Sequence, residues 1–158
     1  RQSRSFLDSL AIIEKARVEL QNRTVDFVAS GEQQPETDHN IRISGSNSGN
    51  TDDRFWRDAR NEGFFSYNMT TGGESGLSLL VTYRGTERGN RKFDIYIGEE
   101  KLKSEDNTGR WNQNLFIDVE YPVPDSMTKG KKNITIRFQS QQGSSTSQVY
   151  YVRLVRKK

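Results

Sequence analysis

The stretch Leu77-Ser78-Leu79-Leu80-Val81-Thr82-Tyr83 decides the fold. Leu77, Leu79, Val81 and Tyr83 stand at alternate positions. Successive side chains of an extended chain point to opposite sides, so these four share one face of a strand while Thr82 falls on the other. The same period precedes it in Phe65, Tyr67 and Met69. It returns in Phe93, Ile95 and Ile97, in Leu115, Ile117, Val119 and Tyr121, in Ile134, Ile136 and Phe138, and in Tyr150, Val152 and Leu154. Asp94, Asp118, Glu120, Thr135 and Arg137 fill the opposite faces. Turn chemistry separates the runs: Gly72-Gly73, Gly89-Asn90, Asn107-Thr108-Gly109, Lys129-Gly130 and residues 143–147. Pro122 and Pro124 bracket a connection where strand pairing must stop. Short, evenly spaced strands, each with one oily face and no helix between them, predict an all-β antiparallel β-sandwich, two packed sheets burying a shared interior. Residues 31–61 are the least periodic part and read as long loops, with a short strand at 40–44.

Upstream the period is helical. Phe6, Leu10, Ile13, Ala16 and Leu20 recur at spacings of three and four over residues 5–22, one face of an amphipathic N-terminal helix. Ser5 with Asp8 matches a capping box. The chain divides into a helical leader, residues 1–22, and a sandwich, residues 23–158. Two readings of the leader stand side by side: a helix packed on its own domain, or a connector arriving from an upstream domain. The start at Arg1, without an initiator Met, fits excision from something longer.

Composition excludes several classes of function. There is no cysteine, hence no disulfide, thiolate nucleophile or zinc–sulfur site. No apolar stretch reaches the roughly 20 residues needed to span a bilayer. The net charge of +3 is spread over both signs. The basic strings Lys129-Gly130-Lys131-Lys132 and Arg156-Lys157-Lys158 lie in a turn and at the terminus, so nucleic acid is not an expected partner.

Catalytic chemistry is hard to assemble. The one histidine, His39, has no Gly-x-Ser-x-Gly elbow to serve, and Gly85-x-x-x-Gly89 lacks the Lys-Ser/Thr of a phosphate loop. Glu32, Glu36, Asp38 and His39 are an oxygen-rich cluster that could hold calcium, but the Asp-x-Asp-x-Asp-Gly spacing is absent. A loop stapled by side-chain hydrogen bonds explains it as well, and no metal or cofactor is expected. Sugar recognition needs an apolar ring flanked by a few placed polar groups. Trp56, beside Arg57 and Asp58, offers one such ring, or else a plug for one end of the sandwich. Trp111, between Arg110 and Asn112, offers another, or else a structural residue. Tyr83, Arg84, Asn90 and Arg91 complete the candidates for holding a glycan.

Longer strings carry a family resemblance. Arg23-Thr24-Val25-Asp26 is followed by Gly31-Glu32-Gln33-Gln34-Pro35-Glu36-x-Asp38-His39, then Trp56-Arg57-Asp58-Ala59 and Gly63-x-Phe65-Ser66-Tyr67. Val81-Thr82-Tyr83-x-Gly85, Gly89-Asn90-Arg91-x-Phe93-Asp94-Ile95, Tyr121-Pro122-Val123-Pro124 and Ile136-Arg137-Phe138-Gln139 continue the order. Together they resemble the C-terminal β-sandwich region of bacterial enzymes of the β-L-arabinofuranosidase type, glycoside hydrolase family 127. The resemblance departs at Phe27-Val28-Ala29-Ser30, where a Pro is expected before the Gly, and at Ile97-Gly98-Glu99-Glu100. It implies a jelly-roll, galactose-binding-like sandwich, non-catalytic, accessory to an upstream catalytic domain of the same chain, in a periplasmic or extracellular bacterial protein. Docking on that domain is the first function it implies, binding of an arabinose-containing glycan the second. Glu32, Gln33, Gln34, Glu36, Asp38, His39, Trp56, Arg57, Asp58, Tyr83, Arg84, Asn90, Arg91 and Trp111 are the candidate contact residues. The family's catalytic centre, a cysteine beside zinc, cannot lie in a chain without thiols.

Overall fold

The computed structural model describes residues 4–85 and 89–157, with side chains from residue 10 onward. The chain is an antiparallel β-sandwich preceded by a helix. Helix α1 (Arg4–Arg23) leads into β1 (Thr24–Ala29), the short helix α2 (Gln33–Asp38), β2 (Arg42–Thr51) and β3 (Arg54–Thr70). Then follow β4 (Leu77–Arg84), β5 (Lys92–Ile97), β6 (Glu100–Asp106), β7 (Phe116–Pro122), β8 (Asn133–Ser140) and β9 (Tyr151–Arg156). One sheet has four strands in the order β1-β9-β4-β7, the other five in the order β2-β3-β8-β5-β6. The Ser5–Asp8 cap and Phe6 lie outside the residues with described side chains.

The alternating residues form the core. Phe65, Tyr67, Leu79, Val81, Tyr83, Phe93, Ile95, Ile136, Phe138, Val152 and Leu154 are fully buried in one cluster. Phe65 stacks on Phe138 with centroids 4.9 Å apart. Burying each such side chain stabilises the fold by about 1.5–3 kcal/mol. β4 is buried at every residue and is an inner strand of its sheet. Leu115 departs from its expected core position: it precedes β7 in the chain and is exposed.

Residues 31–61 are more ordered than a loop reading allows. They hold α2, all of β2 and the first half of β3. Thr51 faces Arg54 across a two-residue turn in which Asp52 and Asp53 have φ of 53° and 62°. This is the left-handed pair that short-loop hairpins require and that Asp tolerates. A bulge at Gly45 bends the ribbon where Gly63 approaches; a Cβ on Gly63 would fall 2.5 Å from the Ser44 carbonyl. Below the bend β3 pairs with β8. Above it, β3 is flanked by residues 145–149 through the Arg57–Val149 and Arg60–Ser145 bridges. That exchange of partners sets Arg57, Asp58 and the 145–149 segment at one end of the sandwich. The strand expected at 40–44 is the start of β2, which runs on to Thr51; β6 is an unexpected strand, a mainly polar edge that pairs with β5.

Candidate functional site

The string Gly31–His39 folds back against its own domain. Glu36, on the inner side of α2, is buried and accepts two bonds from one edge of the Arg57 guanidinium, Nε at 2.6 Å and Nη2 at 2.9 Å. Tyr67 donates to the same carboxylate at 2.6 Å and lies 3.1 Å from the Ser30 hydroxyl. Burial opposes the Arg57 charge, but the Glu36 carboxylate outweighs it and raises the guanidinium pKa. Burial and the same carboxylate push the Tyr67 phenol well above its ordinary range. His39 closes the other end of α2, with Nδ1 2.7 Å from the Pro35 carbonyl and Nε2 2.9 Å from Asp26. Asp38 accepts from Gln34, while Glu32, Gln33 and Gln34 are exposed. The acidic residues therefore point in different directions, and among the described residues no three His, Asp or Glu side chains gather as a metal cluster. Asp26, Asp38, His39, Asn40, Asn68, Thr70 and Asn133 line a polar hollow beside them.

Trp56 is half-buried and donates from its indole to Thr51 Oγ1 at 3.2 Å. Asp58 is buried beside Arg60 and Arg91, at 3.7 and 3.9 Å, too far for hydrogen bonds, and neither of its oxygens has a hydrogen-bond partner. Burial raises its pKa against the pull of those guanidiniums. Arg91 donates to the Thr146 carbonyl, and Asn90 accepts from the Ser145 amide. Arg84 stands apart. It pairs with Asp52 and Asn114 and lies 4.6 Å over the Phe116 ring.

Trp111 and Tyr83 come together. Their rings stack with centroids 5.9 Å apart, and Arg110 lies 4.8 Å over the indole. Beneath them runs a chain of polar groups. The Tyr121 phenol donates to Glu105 at 2.6 Å and sits 2.8 Å from the Tyr83 phenol. Tyr121 spends its proton on Glu105, so Tyr83 is the donor between the two. Burial first, and then the Glu105 carboxylate, drive the Tyr121 pKa far above the ordinary phenol value, keeping that donor protonated. Arg110 completes the set with a 3.1 Å bridge to Glu105 and a bond to Asn107, which itself donates to Ser147.

This network borders a cleft of about 300 Å³ on the open seam between β6 and β7. It is lined by Leu102, Lys103, Glu105, Arg110, Val119, Glu120, Tyr121 and Pro122. Guanidinium donors, carboxylate acceptors and an aliphatic wall meet there, the chemistry that holds hydroxyl-rich ligands, at the lower end of known pocket volumes. Both carboxylates are engaged, Glu105 as described and Glu120 by Arg23 at 2.9 Å. None of the expected residues lines this cleft: Tyr83 is fully buried and reaches it only through the Tyr121 hydroxyl, and Trp111 packs behind it against the core. Sequence reasoning missed Glu105 and Arg110 as site residues. The available signal was Tyr121, a tyrosine on a core-facing period whose hydroxyl had to find a partner.

Comparison with known proteins bears on the fold. A family model described as "Family of unknown function (DUF6805)" matches residues 19–155. No curated protein matches the chain at a significant level. Among solved structures, a family 35 carbohydrate-binding module from Clostridium thermocellum superposes with a TM-score of 0.57 at 13% identity, covering 84% of this chain and 99% of that one. The C-terminal family 6 module of a marine laminarinase from Zobellia galactanivorans gives 0.54 at 13% identity, covering 82% and 97%. The CBM36-1 domain of a multidomain xylanase from the hindgut metagenome of Trinervitermes trinervoides gives 0.52 at 15% identity, covering 81% and 94%. At such identities the likeness establishes a shared fold.

Proposed function

The chain belongs to DUF6805, a family of unknown function, and we propose that it is a non-catalytic carbohydrate-binding module, accessory to a larger glycan-degrading enzyme. One observation carries this reading. Arg110 and the Tyr121–Glu105 pair meet in one cleft, and the Trp111–Tyr83 stack backs them from the core side. The cleft supplies what a neutral sugar needs, namely fixed donors and acceptors for hydroxyls beside apolar surface. The solved modules described above bear on the same reading through their fold. The resemblance to the glycoside hydrolase family 127 region adds the setting. It points to an upstream catalytic domain, a plant-derived, arabinose-containing glycan and export to the periplasm or beyond.

Isothermal calorimetry against arabinan, arabinogalactan, xylan and laminarin tests it. We expect measurable binding to at least one of them, lost in Trp111→Ala while the thermal midpoint shows that the variant is folded. Silence toward all four at millimolar sugar would remove the reading.

A further inference from the structure

Helix α1 is anchored to the sandwich at its last turn. Arg23 reaches Glu120 and the Arg156 carbonyl, and Arg156 donates to the Asn22 carbonyl at 2.7 Å. Upstream of that anchor the helix lies largely free. Leu10 and Ile13 are 46% and 64% exposed. An isolated helix of this length is marginal in water and takes most of its stability from packing an apolar face. Positions 10, 13, 17, 20 and 24 fall on one face of a 3.6-residue helix. Arg17, Leu20 and Thr24 of that face line a cleft of about 360 Å³, closed on its other side by Phe27 and Arg153 from the outer surface of the four-stranded sheet. The Leu10–Ile13 stripe thus continues, along the same helix face, the wall that Arg17, Leu20 and Thr24 give this cleft.

Arg153 lies in that cleft. Its guanidinium is 4.6 Å from the Phe27 ring and 5.4 Å from Tyr151, and those rings stand 5.7 Å apart. Other arginines here have carboxylate partners: Arg17 holds Glu14, Arg23 holds Glu120 and Arg156 holds Glu74. Arg153 has rings on its faces but no hydrogen-bond or ion-pair partner among the described residues. Asp118 attracts it electrostatically but is bonded to Thr82. A planar fork whose faces are packed and whose donors are idle is arranged to receive a carboxylate edge-on. A small acidic ligand would satisfy Arg153 but leave Leu10 and Ile13 in water. A protein surface would cover both, and aromatic and arginine side chains are enriched in such contacts.

We propose that the groove between α1 and the outer face of the four-stranded sheet docks a neighbouring protein domain, one that lays apolar side chains along Leu10, Ile13 and Leu20 and presents an aspartate or glutamate to Arg153. This surface lies outside the Trp111 cleft and stands or falls independently of glycan binding.

A phage-displayed library of helical peptides, selected on the intact chain, provides the probe. Recovered peptides are expected to space apolar residues by three and four around one Asp or Glu. In fluorescence anisotropy the synthetic peptide should bind about tenfold more tightly than its Glu→Gln or Asp→Asn counterpart, the worth of a charge-assisted fork. Arg153→Gln should abolish that difference, Arg153→Lys should keep part of it, and Ile13→Ser should weaken both peptides. Recovered peptides without an acid, or retained undiminished by Arg153→Gln, would overturn the proposal. So would a dimer in light scattering that Ile13→Ser abolishes, which assigns the stripe to a second copy. So would saturable binding of glucuronate that depends on Arg153 and ignores Ile13→Ser, which assigns the fork to an acidic sugar.

Discussion

Trp56 lies against Gly49, its partner across the β2–β3 ladder, so closely that a Cβ on Gly49 would fall 2.4 Å from Cζ2 of the indole. The absent side chain of Gly49 is what lets the ring lie flat over the hairpin. Gly49→Ala is therefore expected to push Trp56 off its seat and cost about 1–3 kcal/mol by overpacking, read as a lowered urea midpoint and altered tryptophan emission. Glycan binding in the cleft at Glu105 and Arg110 should persist in this variant. Its loss together with the Trp56 shift would move the sugar site to the hairpin.

The buried fork between Arg57 and Glu36 predicts an asymmetric mutational response. Glu36→Ala leaves a half-buried guanidinium and the Tyr67 phenol without their acceptor, and should cost about 3–5 kcal/mol in chemical denaturation. Adding Arg57→Met should restore part of that loss, because removing both charges of a buried pair is far cheaper than removing one. Equal destabilisation by the single and double variants would contradict the assignment.

His39 makes stability depend on pH. Both its partners are acceptors, so only the protonated ring satisfies both bonds at once. Burial works against that charge, yet the bonds to Asp26 and Pro35 outweigh it and raise the pKa above the ordinary 6.5. A raised folded pKa gives stability that is complete below the unfolded value and fades as pH climbs through the folded one. The urea midpoint of the wild type should thus exceed that of His39→Gln at about pH 5.5 and approach it by about pH 8.5. A gap that widens with pH would reverse the sign and refute the clip.

Asp58 has linkage of the same sign in a lower pH window, but here it is the charged form that costs stability. Burial lifts its pKa above the ordinary 3.8, so ionisation penalises the folded state and protonation relieves it. Relative to wild type, Asp58→Asn should gain most at neutral pH and least near about pH 4. Parallel midpoint curves for the two proteins would show that the carboxylate carries no such penalty.

The sandwich was legible wherever one face of a strand is oily and the other wet, as in Phe93-Asp94-Ile95 or Ile134-Thr135-Ile136. β2 was legible only at its start, as the short strand at 40–44, and β6 not at all, because an edge strand such as Arg42–Thr51 is held by backbone pairing with one neighbour and needs no apolar period. Leu115 continued an alternation that the backbone had already left. The helix was legible as a helix, but which partner covers its stripe is a tertiary matter that periodicity does not encode. The Tyr83–Trp111 pair showed as two separate aromatic residues. Glu105 and Arg110 drew no notice as site residues, since their meeting depends on β6 and β7 facing each other across an open seam.

The most direct test is a ¹H–¹⁵N NMR titration of the intact chain with arabinan- and xylan-derived oligosaccharides. Saturable shifts should centre on Leu102, Glu105, Arg110, the Trp111 indole and Tyr121, and vanish in Trp111→Ala. Shifts confined to the hollow around Asp38, His39 and Asn68, or to the Trp56 hairpin, would place sugar recognition elsewhere and contradict the account.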